Sequence, residues 1–406
     1  THIATLTITE KGYLRDADGR IDLDLPAVRH DLALVEGELA DSGGPDGTGT
    51  AGGPGSPLSG AWSAGGDSSM SRSPIGLLVR GLARRYRSNG APFTVLPCDN
   101  LVDNGIVTHR IVVSLVAAIR SASDRDGFLA WLEQAVTFPS TMVDRITPAV
   151  TDADRVEAGK LSGLHDEALV VAEPFSQWVI EDRFAGPRPA WEKVGAILTD
   201  DVLPYERVKL RVLNATHSLL AYLGALKGLD TIAEAVADPA LLRTVREVLD
   251  HDILPTLAPA PGLNLESYRD TVLERFANTA LAHTTRQVAM DGSQKLPNRL
   301  LGTVVDRLAA GHVPAGLALA VAAWIAYLAS TLAENGPVLD DPLADRLAAV
   351  VGSADAIETS AEGLVARVLA LREIFPAEIA DSGAFQAAIV AQFPRVRHLT
   401  AAPPLD

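Results

Sequence analysis

Residues 208–224 read Val208-Lys-Leu-Arg-Val-Leu-Asn-Ala-Thr-His-Ser-Leu-Leu-Ala-Tyr-Leu-Gly224, an apolar helical pattern that carries a lysine, an amide and an imidazole. At about 100° per residue, Asn214 lies roughly 140° and His217 roughly 80° around the helix from Lys209, so all three can point to one side. A buried lysine is costly unless it has a partner or a task. The stretch predicts a helix that delivers a base and hydrogen-bond donors into a pocket, although solvated or core-packed side chains would show the same spacing.

The sequence around this stretch is helical throughout. From about Trp178 onward strand signals nearly vanish, and amphipathic Ala- and Leu-rich segments are separated by Pro and Gly. We therefore expect residues 174–406 to form an α-helical substrate or catalytic domain. The predicted helices cover residues 207–226, 231–236, 239–250, 265–281, 300–310, 315–334, 342–351 and 361–371.

The first part of the chain mixes strands and helices. Residues 3–9 alternate apolar and polar side chains, and residues 92–97 form a short apolar run bounded by prolines. Helical patterns follow each of these strands, which favours a parallel sheet. We expect residues 1–173 to form an α/β domain. Within it, residues 41–74 are rich in Gly, Ser and Pro, which predicts a flexible surface insertion between two helices.

Composition narrows the class of protein. With 406 residues and 47% hydrophobic residues, the chain is long enough for two globular domains. The net charge of −16 without a basic patch argues against nucleic-acid binding. Cys98 is the single cysteine, so neither a disulfide framework nor a cysteine zinc site is expected, which fits a cytoplasmic location. The most apolar run, residues 315–329, is shorter than the ~20 residues of a membrane span, so no membrane association is expected.

Polar side chains follow the predicted strands, where ligands of open α/β sheets bind. Asp99, Asn100 and Asn104 come after the strand at 92–97, and Asp144 follows a later apolar run. An Asx-rich turn, or a simple ion pair between Asp144 and Arg145, would explain the same residues.

The motifs of several common metal, nucleotide and nucleophile sites do not occur in the sequence. His165, Asp166 and Glu167 are adjacent, but no second histidine lies at ligand spacing, so no metal site is expected. Neither a Gly-x-Gly-x-x-Gly turn after a strand, a Walker lysine loop nor a Gly-x-Ser-x-Gly elbow occurs.

Taken together, blocks along nearly the whole chain resemble the polyol-specific long-chain dehydrogenase family, which includes mannitol 2-dehydrogenase and fructuronate reductase (D-mannonate oxidoreductase). The insertion at 41–74 is the part without a counterpart. The matching blocks are Leu6-Thr-Ile-Thr-Glu-Lys-Gly-Tyr13, Pro97-Cys-Asp-Asn100, Met142-Val-Asp-Arg-Ile-Thr-Pro148, Gln177-Trp-Val-Ile-Glu-Asp182, Arg188-Pro-Ala-Trp-Glu-Lys-Val-Gly195 and Lys209-Leu-Arg-Val-Leu-Asn-Ala-Thr-His217.

The resemblance implies a metal-independent oxidoreductase that uses NAD, with NADP left open, and an active site between a Rossmann domain and a helical domain. It implies that Lys209 is the general acid/base. Asn100 and Asn214 would bind the reacting oxygen, His217 would orient the substrate, and Asp144 would lie near the lysine. A lysine with an ordinary pKa near 10.4 is a poor base at neutral pH, so burial would have to lower its pKa.

The substrate expected from the resemblance is a small sugar acid or polyol. Residues 10–13 and 287–300 look closer to fructuronate reductase than to mannitol dehydrogenase. A hexuronate carries a carboxylate, and Arg286, Lys295 and Arg299 are the cations expected to bind it. A mannitol or other hexitol dehydrogenase is the alternative, and the oligomeric state, monomer or dimer, is open.

One feature of the resemblance departs from the family. The family's Gly-rich loop and first βαβ unit have no counterpart in the chain, so the Rossmann domain is expected to be partial. Three explanations are open: the sequence is a fragment of a longer protein, its start is misplaced, or the protein has lost its cofactor site. A catalytically inactive fragment or helical binding module is therefore the alternative from another functional class.

Overall fold

The computed structural model describes residues 2–16, 18–40, 69–120, 124–281, 283–333, 336–352 and 355–401. The chain forms two compact units: the first comprises Thr1–Val143 and Gln177–Leu203, and the second comprises Asp144–Ser176 and Pro204–Asp406. The chain passes between the units at three points, where the sequence predicted one boundary after residue 173. Most of the predicted insertion at 41–74 lies outside the described residues.

The first unit contains a three-stranded parallel sheet in the order β1 (Ile3–Leu6), β2 (Phe93–Pro97), β3 (Val136–Thr137). Ile3 pairs with Thr94, and Phe93 pairs with Val136. All five residues of β2 are buried, as expected for the central strand of a covered parallel sheet. The strand predicted at 92–97 is thus confirmed, and the one predicted at 3–9 is confirmed over Ile3–Leu6.

Helices connect the parallel strands of this sheet. Between β1 and β2 the chain forms α1 (Pro26–Ala40) and α2 (Pro74–Ser88), and between β2 and β3 it forms α3 (Asn104–Ala117) and α4 (Arg125–Ala135). Their apolar faces and the sheet enclose one hydrophobic core. This strand–helix–strand arrangement places the loops after β1 and β2 at one edge of the sheet.

A second sheet, in the order β4 (Thr141–Asp144), β5 (Gln177–Glu181), β6 (Ile197–Thr199), corrects the expectation that strands end near Trp178. β5 and β6 run parallel, with Val179 opposite Ile197. Neither β5 nor β6 shows the seven-residue alternation or the bounding prolines that identified the strands at 3–9 and 92–97.

The second unit is helical, as predicted. Every predicted helix of the C-terminal half has a counterpart, most of them with shifted ends. Four further helices were not predicted, at Thr285–Ala289, Gly292–Leu296, Ala377–Ala380 and Gly383–Thr400, and the last contains Pro394. The helices are α5 (Asp152–Ser162), α6 (Leu203–Val208), α7 (Ala215–Lys227), α8 (Ile232–Ala237), α9 (Pro239–Val248), α10 (Leu265–Phe276), α11 (Thr285–Ala289), α12 (Gly292–Leu296), α13 (Gly302–Ala309), α14 (Ala315–Thr331), α15 (Ala344–Val351), α16 (Ala356–Leu369), α17 (Ala377–Ala380) and α18 (Gly383–Thr400).

Helix α14 lies at the centre of the helical unit. It packs against α7 and α18, and most of its residues are fully buried. Its apolar surface is therefore explained by the core. Across the residues that the structure describes, no helix has both the length and the apolar character to cross a membrane.

Short 3₁₀ and π segments complete the structure. The 3₁₀ helices are Glu10–Tyr13, Trp191–Val194 and Leu254–Thr256, and the π-helical segments are Lys209–Asn214, Leu249–Ile253 and Pro297–Leu301. Each π segment continues an α-helix, and such interruptions are frequent at functional sites.

Candidate active site

A single helical rod carries Lys209, Asn214 and His217. It runs from α6 through the π segment Lys209–Asn214 into α7. In a π-helix the hydrogen bond links residues five apart, so Lys209 and Asn214 lie one above the other. The 140° separation predicted from α-helical geometry is therefore wrong, because the helix is wider at this point. All three side chains are buried.

Lys209 is only 8% exposed to solvent. Burial lowers the pKa of its ammonium group, and the carboxylates of Asp144 and Glu206 act in the opposite direction. The cations of Arg299 and Arg275 lower the pKa further. A buried lysine with a lowered pKa gives up its proton more readily than an exposed lysine does, as a general base requires.

Asp144 takes part in a buried ion-pair network that the sequence did not predict. Its two oxygens accept from Nη1 and Nη2 of Arg275, both at 2.8 Å, and Oδ2 also accepts from the Tyr268 hydroxyl at 3.0 Å. Arg145, its neighbour in sequence, instead donates from Nε to the carbonyl oxygen of Glu173 at 2.9 Å. The ion pair between Asp144 and Arg145 considered from the sequence is therefore replaced by a pair with Arg275.

Glu173 is the second carboxylate of this network. It accepts from Nε of Arg275 at 2.9 Å and from Nη2 at 2.7 Å, and the backbone N–H of Ile146 donates to it at 2.6 Å. The Arg275 guanidinium also lies 4.0 Å from the ring centroid of Phe175. Burial disfavours the charged guanidinium, but the hydrogen bonds to the two carboxylates outweigh this and raise its pKa.

The position of Arg275 in α10 is the sequence signal for a buried charge. Tyr268, Val272 and Arg275 share the buried face of the helix, where the spacing of apolar residues would place a core side chain. A charged residue at such a position needs a partner of opposite charge. The identity of the partners, however, depends on residues more than a hundred positions away.

His217 lies between two rings. The Phe276 ring stacks on it with centroids 4.7 Å apart, and the edge contact with His283 has centroids 4.8 Å apart. Burial lowers the pKa of His217 well below its ordinary value, and the charges of His283, Arg299 and Lys295 add to this. The imidazole is therefore neutral at neutral pH.

The three cations predicted to bind substrate differ in their surroundings. Arg299 donates from Nη1 to Ser218 Oγ at 3.1 Å and to the Asn214 carbonyl oxygen at 3.5 Å, which places it against the rod. Lys295 donates from Nζ to the carbonyl oxygen of Val288 at 3.2 Å. Both lower the pKa of His217, whereas Arg286 lies exposed on α11.

In the first unit, the three polar residues predicted after β2 differ in their surroundings. Asp99 accepts from the backbone N–H groups of Ile8 and Thr9, both at 2.8 Å, and thus joins the loops after β1 and β2. The Asn104 amide is buried and exchanges hydrogen bonds with the backbone of Thr141. Asn100 is the exposed member of the three predicted residues.

Within the described part of the chain, no cluster of three or more His, Cys, Asp or Glu residues is arranged to hold a metal ion. His165 and Glu167 form an exposed pair at 2.6 Å.

Comparison with known proteins places the two halves of the chain in one family. The family model described as "Mannitol dehydrogenase Rossmann domain" matches residues 2–193, and "Mannitol dehydrogenase C-terminal domain" matches residues 201–397. The chain is 38% identical to D-mannonate oxidoreductase of Escherichia coli (strain K12), over 97% of this chain and 72% of that protein. It belongs to the mannitol dehydrogenase family. The Rossmann-like N-terminal domain and the helical C-terminal domain predicted from the sequence are thereby confirmed.

Further relatives are named for a different substrate, mannitol. The chain is 35% identical to mannitol dehydrogenase 2 of Saccharomyces cerevisiae, over 95% of this chain and 69% of that protein. Among solved structures it is similar to mannitol 2-dehydrogenase of Pseudomonas fluorescens in a ternary complex with NAD and D-mannitol, with 34% identity and a TM-score of 0.76. That match covers 98% of this chain and 74% of the other. NAD, the cofactor expected from the sequence, is the one bound in that structure.

Proposed function

We propose that this protein is an NAD-dependent oxidoreductase that interconverts a secondary alcohol and a ketone on a sugar acid, with D-mannonate and D-fructuronate as the substrate pair. The observation that carries the proposal is the buried Lys209, whose pKa is lowered by burial and which shares one side of a π-helical segment with Asn214. Family membership supports an oxidoreductase that acts on polyols or sugar acids.

In the oxidation direction, neutral Lys209 takes the hydroxyl proton at Nζ. The charges of Asp144 and Glu206 favour the ammonium ion that results, because they act to raise its pKa. Asn214 and Asn100 are proposed to donate amide hydrogens to the oxygen on which negative charge develops. His217 is proposed to orient the substrate from the next turn of the rod.

The sheet of the first unit fits a dinucleotide by its topology. The loops after β1 and β2 are joined by Asp99 at the edge of the sheet where ligands of parallel α/β folds lie. We propose that these loops hold the nicotinamide end of NAD. When bound, NAD supplies hydride transfer. NADP is the alternative, and a comparison of NADH with NADPH at equal concentration distinguishes the two.

Lys295 and Arg299 are proposed to attract the substrate carboxylate, because both lie close enough for their charges to act on His217. Arg286, which is exposed, is proposed to contribute from α11. The second candidate function is a hexitol dehydrogenase acting on mannitol and fructose, which the identity to mannitol dehydrogenase 2 favours. Reduction of D-fructuronate and of D-fructose by the full-length protein with NADH compares the two functions directly.

The decisive variant is Lys209→Met, which keeps the length and apolar stem of the side chain. We expect kcat to fall by about 10³-fold, within the range of general acid/base catalysis. The unfolding midpoint should not fall, because a desolvated amine is removed. Lys160→Met, at an exposed position on α5, is the matched control and should keep full turnover. Unchanged turnover in the Lys209 variant would exclude the proposed role.

Two further measurements test the class of function. Proton transfer by a lysine and two amides requires no metal ion, so we propose that dialysis against a chelator leaves kcat unchanged. A fluorescence titration with NADH tests the alternative of an inactive helical module. Absence of NADH binding by folded full-length protein would favour that alternative.

A further inference from the structure

Among the described residues of the helical unit, two buried histidine ring nitrogens have no hydrogen-bond partner. They are Nε2 of His217 and Nδ1 of His283, and the residues that the structure describes offer neither of them a donor or an acceptor. His217 is itself only 7% exposed. Buried polar atoms are almost always paired in folded proteins, so two such atoms on adjacent rings indicate a place for a ligand.

The two rings are held in fixed positions. Phe276 stacks on the face of His217, and the edge contact between the histidines has an interplanar angle of 70°. The backbone of His283 is anchored on both sides, since its carbonyl oxygen accepts from the Ile232 N–H at 3.0 Å and its N–H donates to the Leu281 carbonyl oxygen at 2.7 Å. The nitrogens therefore belong to a preformed arrangement.

Several cations act on the two rings. Burial, followed by Lys295 and Arg299, lowers the pKa of His283, and the same two cations act on His217 together with Arg275. Both rings are neutral, so each can offer one N–H. Two neutral donors near several positive charges match an anion with two acceptor oxygens better than a neutral hydroxyl.

We propose that His283 is a specificity-determining residue that, together with His217, binds the carboxylate of a sugar-acid substrate. The ring centroids of the two histidines are 4.8 Å apart, and we take one carboxylate beside both rings to accept from both nitrogens. A hexitol carries a neutral hydroxyl at the corresponding terminal carbon and therefore brings no negative charge to these donors. This inference rests on the proposed function for its substrate class, but it concerns binding, whereas the proposed function concerns hydride transfer.

The test is calorimetric titration of full-length protein with D-mannonate and with D-mannitol, with and without NADH. We expect the wild-type protein to bind D-mannonate at least about tenfold more tightly, as for hydrogen bonds to a charged group. His283→Leu should weaken D-mannonate binding by about tenfold or more and change D-mannitol binding less than about threefold. His283→Gln, which keeps a donor, should recover part of the difference.

The control variant is His312→Leu, an exposed histidine of the same unit, which should bind both ligands as the wild type does. Thermal unfolding of each variant checks the fold, and the ratio of the two affinities is independent of the active fraction. Equal weakening of both ligands in His283→Leu, no weakening at all, or wild-type preference for D-mannitol would overturn the inference. Wild-type protein that binds D-mannonate selectively but transfers no hydride would support it and contradict the proposed function.

Discussion

The helical unit contains two buried polar clusters that differ in how completely their hydrogen bonds are satisfied. In the first, Arg275 donates four hydrogen bonds to the carboxylates of Asp144 and Glu173. In the second, His217 and His283 each bury a ring nitrogen that has no partner in the described part of the chain. A saturated cluster holds the fold together, whereas an unsaturated one is costly until a ligand completes it. Lys209 experiences the charges of the first cluster and lies on the same rod as His217.

The largest effect is expected from removing the cation of the saturated cluster. Arg275→Met leaves two buried carboxylates without their partner, and we expect the free energy of unfolding to fall by about 3–5 kcal/mol. Denaturant unfolding measures this loss. The matched control is Arg246→Met, because the pair between Arg246 and Asp270 is exposed and should contribute less than about 1 kcal/mol. Similar losses in the two variants would mean that saturation of the buried cluster does not stabilise the fold.

The carboxylate of Asp144, which belongs to the same cluster, should affect the pKa of Lys209. Asp144→Asn removes an anion that raises the pKa of Lys209, so this pKa falls further. Alcohol oxidation needs neutral lysine and increases with pH through its pKa. The rising limb of kcat/KM should therefore move to lower pH by about one unit, the low end of the effect of a nearby charge.

Ketone reduction needs the ammonium form of Lys209, so in Asp144→Asn its falling limb should move to lower pH by the same amount. Asp306→Asn, at a carboxylate that pairs with Arg211, is the control and should leave both limbs in place. A shift of either limb to higher pH in the Asp144 variant would contradict the proposed link between the cluster and the lysine.

Local patterns in the sequence were sufficient for most of the long helices, though not for α18, and for β1 and β2, because apolar spacing and Pro or Gly boundaries act over short distances. They were insufficient for β5 and β6, which show neither an extended alternation nor bounding prolines, and for the π segment at Lys209–Asn214, which has no distinct pattern. Residue types placed Lys209, Asn214 and His217 on one rod. The roles of these residues stay predictions.

The saturated cluster was not predicted, because its members are distant in sequence. Asp144 and Arg275 are separated by 131 positions, and only the folded chain brings them together. His283 cannot be recognised from the sequence for a related reason. A single histidine before a short helix does not indicate a binding site until the fold shows His217 beside it. Pairings of this kind depend on tertiary structure, which a local pattern does not encode.

The smallest effect concerns a single hydrogen bond at the edge of the saturated cluster. Tyr268→Phe removes the hydroxyl that donates to Asp144 Oδ2 and leaves both Arg275 bonds in place. We expect a loss of about 1.5–2 kcal/mol in the free energy of unfolding, because the acceptor is charged. Tyr205→Phe is a matched comparison, since its hydroxyl donates to the neutral carbonyl oxygen of Pro261 and should cost about 1 kcal/mol. A larger loss in the free energy of unfolding for Tyr205→Phe would contradict this expectation. It would mean that the charge of Asp144 does not strengthen the hydrogen bond from Tyr268, because Arg275 already compensates that charge.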